Sequence, residues 1–277
     1  MNETGWLPTR IFIRGASTAG WTSPMSGPRS DLGFPRVIER ELLASGQPTE
    51  VRSVTVGGMP TSTVVRTWER DVVGFSPDVV IYMVGHYETL HLLWPNRIER
   101  HANAFTWLPR RLSTAYRTKV LRPLWRSLVR AQTALDRRLP PRYGERRVRN
   151  AVADIMRATA RVREIQSPLV ILMETPLPGT YGEQLFPGMP HRVRLLNRLL
   201  AEAVEARGEH EVLVFPTNEI VAAAYPVRDD AVPDGFHFSP DAHDLVGRAL
   251  ATRIQEWTRT QAHLRQPDSV RPLRSEG

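Results

Sequence analysis

The chain has 277 residues, 41% of them hydrophobic, which is enough to bury a substantial core within one domain. It contains no cysteine, so disulfides, thiolate metal sites and cysteine nucleophiles are excluded. The formal charge of +8 is almost entirely arginine, Lys119 being the only lysine, and it is concentrated: residues 97–149 hold fifteen Arg/Lys against Glu99, Asp136 and Glu145, a net of +12, leaving −4 for the rest.

The first apolar run, within Arg10–Gly20, ends abruptly in Gly15-Ala-Ser17 and predicts a strand followed by a tight turn. Residues 23–35 are rich in Gly, Pro and Ser and are expected to form a loop, followed by a helix over 36–45 that stops at Gly46. The alternation in 50–56 predicts a second strand running into the Gly57-Gly58 turn, then a helix to about Asp71. Residues 76–85 form a continuous β-branched run, as in a strand covered on both faces, with His86-Tyr-Glu88 at its end.

Within the basic segment, Pro123 opens an amphipathic helix with Leu124, Trp125, Leu128 and Leu135 on one face and Arg122, Arg126 and Arg130 on another. Pro140-Pro141 ends it, and a further helix is expected over 145–165. A fourth strand over 167–173 precedes a Pro/Gly-rich loop, 175–190, and a helix over 192–206 precedes a fifth strand, 211–215. The loop around Asp234 leads to a last helix, 240–258, with Ser239 as its N-cap. Strands separated by helices predict an α/β fold in which a five-stranded parallel sheet is covered on both sides.

A serine hydroxyl needs a base to take its proton and an acid to orient that base. Ser17 lies where a parallel sheet presents reactive side chains, at the carboxyl end of a strand. Asp234-Gly-Phe-His237, beyond the last strand, could supply base and orienter from one loop, with His237 toward Ser17 and Asp234 behind it. The plainer alternatives are a turn serine satisfying local backbone and a capped loop with a structural hydrogen bond.

These blocks resemble the SGNH (GDSL-type) serine hydrolases. Gly15-Ala-Ser17 is similar to the family's nucleophile block, Gly58 (or Gly57) to the block whose amide helps form the oxyanion hole, Gly85-His-Tyr-Glu88 to Gly-x-Asn-Asp, and Asp234-Gly-Phe-His237 to the Asp-x-x-His block. The resemblance frames residues 10 to about 259 and implies a flavodoxin-like three-layer α/β/α sandwich. Length and composition predict a single domain over 1–262, with a basic helical insertion over 90–150 that the resemblance leaves unexplained, and a polar tail over 263–277 expected to be disordered. The resemblance further implies a hydrolase or acyltransferase with Ser17, Asp234 and His237 catalytic, Gly58 and Ser17 amides at the oxyanion, and no cofactor. Two positions depart from the family pattern: Ala16 replaces an aspartate, and Tyr87 stands where an asparagine amide normally donates to the oxyanion. Either the Tyr87 hydroxyl or His86 could replace it. A member without ordinary hydrolysis, using the pocket for binding, cyclisation or elimination, is the alternative.

His86, Glu88 and His91 lack the i, i+4 histidine pair of a helical zinc site, so no metal is expected. Asp241 and His243 are expected to cap the final helix or lie at the surface. The insertion is either a solvated arginine face or a lid, with Trp94, Trp107 and Trp125 lining an acyl or polycyclic pocket and arginines attracting an anion. The partners that fit are a small-molecule substrate, a carboxylated one included, or an acyl group on an acidic carrier protein or coenzyme A; an anionic lipid surface also fits the arginines, although peripheral membrane contact is the less favoured reading, and no nucleic-acid motif is present. Residues 1–8 lack a secretory pattern and no apolar run approaches spanning length, so the expectation is a soluble cytoplasmic protein.

Overall fold

In the computed structural model, residues 8–23, 33–58, 60–90, 92–93, 114–140 and 142–262 are described. Five parallel strands form one sheet in the order β2-β1-β3-β4-β5, where β1 is Thr9–Gly15, β2 Thr49–Thr55, β3 Val79–Met83, β4 Leu169–Met173 and β5 Val212–Phe215. This is the flavodoxin-like order, and it places the switch in winding direction between β1 and β3, beside the end of β1.

The continuous apolar runs follow from burial on both faces. Successive side chains of a strand point to opposite sides, so Ile11 and Ile13 join one core while Phe12 joins the other. The first core is closed by α2 (Phe34–Ala44), α9 (Thr217–Ala224) and α11 (Pro240–Ala262), with Ile38, Val221 and Leu250 packed on Ile81 and Ile171. The second is closed by α3 (Thr61–Trp68), α6 (Glu145–Gln166) and α8 (Met189–Arg207), with Val64, Val148 and Leu196 on Val80 and Val170. A third cluster joins Val129 of α5 (Arg122–Arg138) to Phe186, Met189 and Val193, with Trp125 and Phe236 against it.

Several expectations need correction. Helix α2 begins at Phe34 with Pro35 in its first turn, inside the stretch expected to be loop. The Pro/Gly-rich stretch 175–190 contains α7 (Thr180–Leu185) and the start of α8, and helices α9 and α10 (Arg228–Ala231) are additional to those expected. The inner face of α5 centres on Val129 and Gln132, whereas Leu124 is exposed, because the buried polar contacts of Gln132 and Asp136 set the rotation of the helix. Trp94, Trp107, His91 and residues 263–277 lie outside the described residues. Among the described residues, no helix is long and apolar enough to cross a membrane.

Candidate active site

Strand β1 ends at Gly15, and the chain stays extended through Ala16 (φ −74°, ψ −172°) before turning into α1 (Ser17–Gly20). The turn is possible because Gly15 has no side chain: a Cβ there would lie 2.2 Å from the Cβ of Ala19. Ala16 donates its amide to the Met83 carbonyl at 3.1 Å, which anchors the turn to the end of β3.

The Asp234 loop closes on this serine from the other end of the chain. Ser17 Oγ lies 3.0 Å from Nε2 of His237, and Nδ1 of His237 lies 2.8 Å from Oδ2 of Asp234. An ionised carboxylate only accepts, so Nδ1 carries the ring proton and Nε2 is left to accept from the serine hydroxyl. The other oxygen, Oδ1, accepts the backbone amides of Phe236 at 2.9 Å and His237 at 2.7 Å, which fixes the carboxylate relative to the ring. Burial opposes the charge of Asp234, but the His237 ring, the His237 amide and the Phe236 amide together hold its carboxyl below the ordinary aspartate range.

The loop is braced from behind by the α7 region. Gly179 donates its amide to the Gly235 carbonyl at 3.2 Å, and Ser239 donates its amide to Ala231 at 2.8 Å. Gly235 itself adopts φ +84°, and a Cβ there would stand 2.4 Å from the backbone nitrogen of Gly182. The Trp21 indole stacks on the His237 ring, centroids 5.8 Å apart and planes 22° from parallel. Trp21, like the bracing residues, is invisible to motif reasoning because its contact depends on the path of the chain after α1.

Gly58 lies in the turn after β2 with φ +66°, and the end of β2 is tied to the strand that leads to Ser17 by the Val56 amide donating to the Gly15 carbonyl at 3.1 Å. The third block is a short helix, α4 (His86–Leu90), whose two candidate donors diverge. His86 is buried with its ring edge-on to Phe236 in the Asp234–His237 loop, at 6.4 Å. Tyr87 is buried with its ring under the Arg147 guanidinium of α6, at 5.4 Å. Glu88 is buried and caps α3: Oε1 accepts the Thr61 amide at 2.8 Å and the Thr61 hydroxyl at 3.0 Å. Burial raises its pKa, with the Thr61 bonds opposing. The carboxylate therefore ties α4 to the segment that follows the Gly57-Gly58 turn.

His243 corrects an expectation. It is fully buried rather than superficial, with Nδ1 accepting the Phe34 amide at 3.2 Å and Nε2 donating to the Trp21 carbonyl at 3.0 Å. Burial pulls its pKa down to about 4, so it is neutral at pH 7 and holds the backbone of the residue stacked on His237. Ser239 does cap α11 as expected, its hydroxyl accepting the Ala242 amide at 3.2 Å. Among the described residues, no group of three or more His, Asp and Glu side chains is arranged to hold a metal ion.

A doubly wound parallel sheet thus carries Ser17, His237 and Asp234 in hydrogen-bonded sequence at its carboxyl edge. The chain belongs to the GDSL-like lipase/acylhydrolase family, whose model matches residues 15–245. That family makes it an enzyme of the hydrolase class. Its fold is shared with a lipase/acylhydrolase from Enterococcus faecalis, at 18% identity and a TM-score of 0.56 over 90% of this chain and 96% of that one. It is shared equally with a carbohydrate acetylesterase family member from Sinorhizobium meliloti, at 14% identity and 0.56 over 90% and 98%. The psychrotrophic esterase EstA from Pseudoalteromonas sp. aligns at 13% identity and 0.51 over 91% and 99%. No curated protein matches the chain.

Proposed function

We propose that this chain is a serine-dependent hydrolase or acyltransferase that acts on an ester or thioester of a small-molecule or carrier-bound acyl substrate. The observation that carries the reading is the relay from Ser17 Oγ to His237 Nε2 at 3.0 Å and from His237 Nδ1 to Asp234 at 2.8 Å. Ser17 Oγ attacks the acyl carbon and its proton passes to Nε2. Asp234, held ionised, stabilises the imidazolium that forms. The carbonyl oxygen becomes an oxyanion facing the Ser17 and Gly58 amides, with His86 as the side-chain donor on this reading. Collapse expels the alcohol or thiol, which takes the proton from Nε2. Water or an acceptor hydroxyl then attacks the acyl-serine and gives its proton to His237 Nε2, which returns it to Ser17 Oγ as the acyl product leaves. These steps call on no cofactor, and a cytoplasmic location suits acyl groups on a carrier protein or coenzyme A.

The test is covalent labelling by a fluorophosphonate, compared with Ser17→Ala. Labelling that disappears in Ser17→Ala is the expected result; a folded wild-type protein that never labels would sink the reading.

A second reading draws on Tyr87, whose position in the family pattern belongs to an asparagine donor but whose ring lies under Arg147. With that donor gone, the pocket could serve ligand binding, cyclisation or elimination in place of hydrolysis. Turnover of a substrate that survives Ser17→Ala would favour it.

A further inference from the structure

Helix α5 turns its cations outward and its single acid inward. Lys119, just before the helix, and Arg122, Arg126, Arg130 and Arg137 are all exposed. Among the described residues none of them has an ion-pair partner. The one acid of the helix, Asp136, is buried against Arg192, and Glu145 beyond it faces Arg149 and His191. Arg122, Arg126 and Arg130 follow one another at i, i+4, a spacing at which like charges repel and destabilise the helix. An opposing anionic surface relieves that repulsion.

A second, independent feature accompanies the cations. Val120 is 48% exposed and Leu124 39%, and Ala131 and Ala134 continue outward at helical spacing. The outer side of α5 and the turn before it thus present exposed aliphatic side chains flanked by arginines. Cations that snorkel around exposed aliphatic groups suit an interface with charged headgroups above an apolar layer. A purely polyanionic ligand has no use for Val120 and Leu124.

The inner side of the same helix connects to the site. Trp125 and Val129 pack in the cluster that contains Phe186, Met189 and Phe236, and Phe236 lies between Asp234 and His237. A surface held by the outer face of α5 is therefore held one helix thickness from the catalytic loop.

We propose that the outer face of α5 docks this protein on an anionic lipid surface, with Arg122, Arg126 and Arg130 on headgroup phosphates and Val120 and Leu124 in the layer beneath. The docking rests on the acyl-ester reading for its purpose, since it brings acyl chains to the site, but not for its evidence.

Co-sedimentation of the full chain with vesicles tests it, using phosphatidylcholine alone against equal parts of phosphatidylcholine and phosphatidylglycerol. The expected result is binding to the anionic vesicles only, weakened by salt. The triple variant Arg122→Gln/Arg126→Gln/Arg130→Gln should lose roughly a hundredfold in partitioning, from the usual contribution of a cation near such a surface. Leu124→Ser should also weaken binding several-fold, which separates a lipid layer from a soluble polyanion. Binding that is absent, equal on both vesicles, or unchanged in the triple variant overturns the proposal. Capture of an acidic carrier protein through the same arginines without vesicle binding also overturns it and assigns the face to a protein partner. Circular dichroism confirms that the variants fold, and Ser17 labelling in the same samples reports on the hydrolase reading separately. Labelled protein that ignores vesicles defeats the docking alone; vesicle-bound protein that never labels defeats the hydrolase reading alone.

Discussion

Arg192 and Asp136 meet through two parallel hydrogen bonds, Nη1 to Oδ1 at 2.8 Å and Nη2 to Oδ2 at 3.1 Å, with side chains 2% and 1% exposed. The third donor, Nε, reaches the Thr89 carbonyl of α4 at 2.7 Å, and Asp136 also accepts the Gly188 amide at 3.1 Å. One buried ion pair thus joins the insertion helix, the start of α8 and the block that carries His86. Gln132 adds to the join, donating to the Leu90 carbonyl at 2.6 Å and accepting the Leu92 amide at 2.9 Å.

Removing one member of this pair leaves the other charge buried and unpaired. Asp136→Asn and Arg192→Met are each expected to destabilise by about 3–5 kcal/mol in urea unfolding. Arg192→Lys should not rescue, because an ammonium cannot supply a two-pronged contact and the Nε bond together. The double variant Arg192→Met/Asp136→Leu should recover part of the loss. If both single variants unfold at the wild-type midpoint, the pair is not structural.

The two candidate donors of the third block make opposite predictions. With His86 facing Phe236 and Tyr87 facing Arg147, His86→Ala should lower kcat by about a hundred- to a thousand-fold with little change in KM. Tyr87→Phe keeps the ring packing and should leave kcat within about twofold. The reverse pattern, measured on any acyl ester the enzyme turns over, would assign the oxyanion to the tyrosine hydroxyl.

Gly235→Ala should disable the catalytic loop while sparing the fold. The new Cβ would meet the Gly182 backbone at 2.4 Å and the residue would be held at φ +84°, so the Asp234 to His237 turn must shift. A misplacement of about 1 Å can reduce turnover about a hundredfold. Unchanged kcat in a variant of unchanged stability would show that the loop tolerates the displacement.

Stability should fall with acid in a window set by His243. Its native pKa of about 4 lies below the ordinary 6.5, so the unfolded chain binds the proton more readily. Its contribution is therefore complete above pH 6.5 and lost as pH falls toward 4, about 3 kcal/mol in all. Asp234, also depressed, acts in the same sense but only below its ordinary value of 3.8. Glu88, raised by burial, opposes, since its contribution is lost as pH rises through its native value. His243→Asn should be less stable at neutral pH and show a shallower acid slope in urea titrations; a parallel slope would remove His243 as the cause.

The legible parts of this protein are those whose physics is local. The runs 76–85 and 167–173 read as strands buried on both faces because their central residues, 79–83 and 169–173, carry no charge. Asp234 and His237 share one loop, so their spacing was informative, and the small residues at Gly15-Ala-Ser17 marked a turn that side chains would obstruct. Helix α9 and the turn of helix at α7 were not legible, since Pro and Gly near their ends obscured short segments stabilised mainly by neighbours.

Buried polar groups were the least legible. Arg192 resembles every other arginine in an arginine-rich chain, and Arg14 on β1 is equally anonymous until Asp71 is found 3.1 Å away. His243 looked like a surface residue because only the placement of Trp21 and Phe34 around it makes it a buried neutral ring. The rotation of α5, with Gln132 inward and Leu124 outward, follows from partners on α4 and α8.

By itself the sequence determined the strands and the parallel α/β class, and it singled out Ser17, Asp234 and His237, because periodicity and loop spacing are properties of neighbouring positions. Only the tertiary structure decided which arginine is buried, which way α5 faces and which of His86 and Tyr87 turns toward the Asp234–His237 loop. Those outcomes depend on where the chain brings distant charges and rings together, and burial of a charge is tolerated only where a partner is waiting.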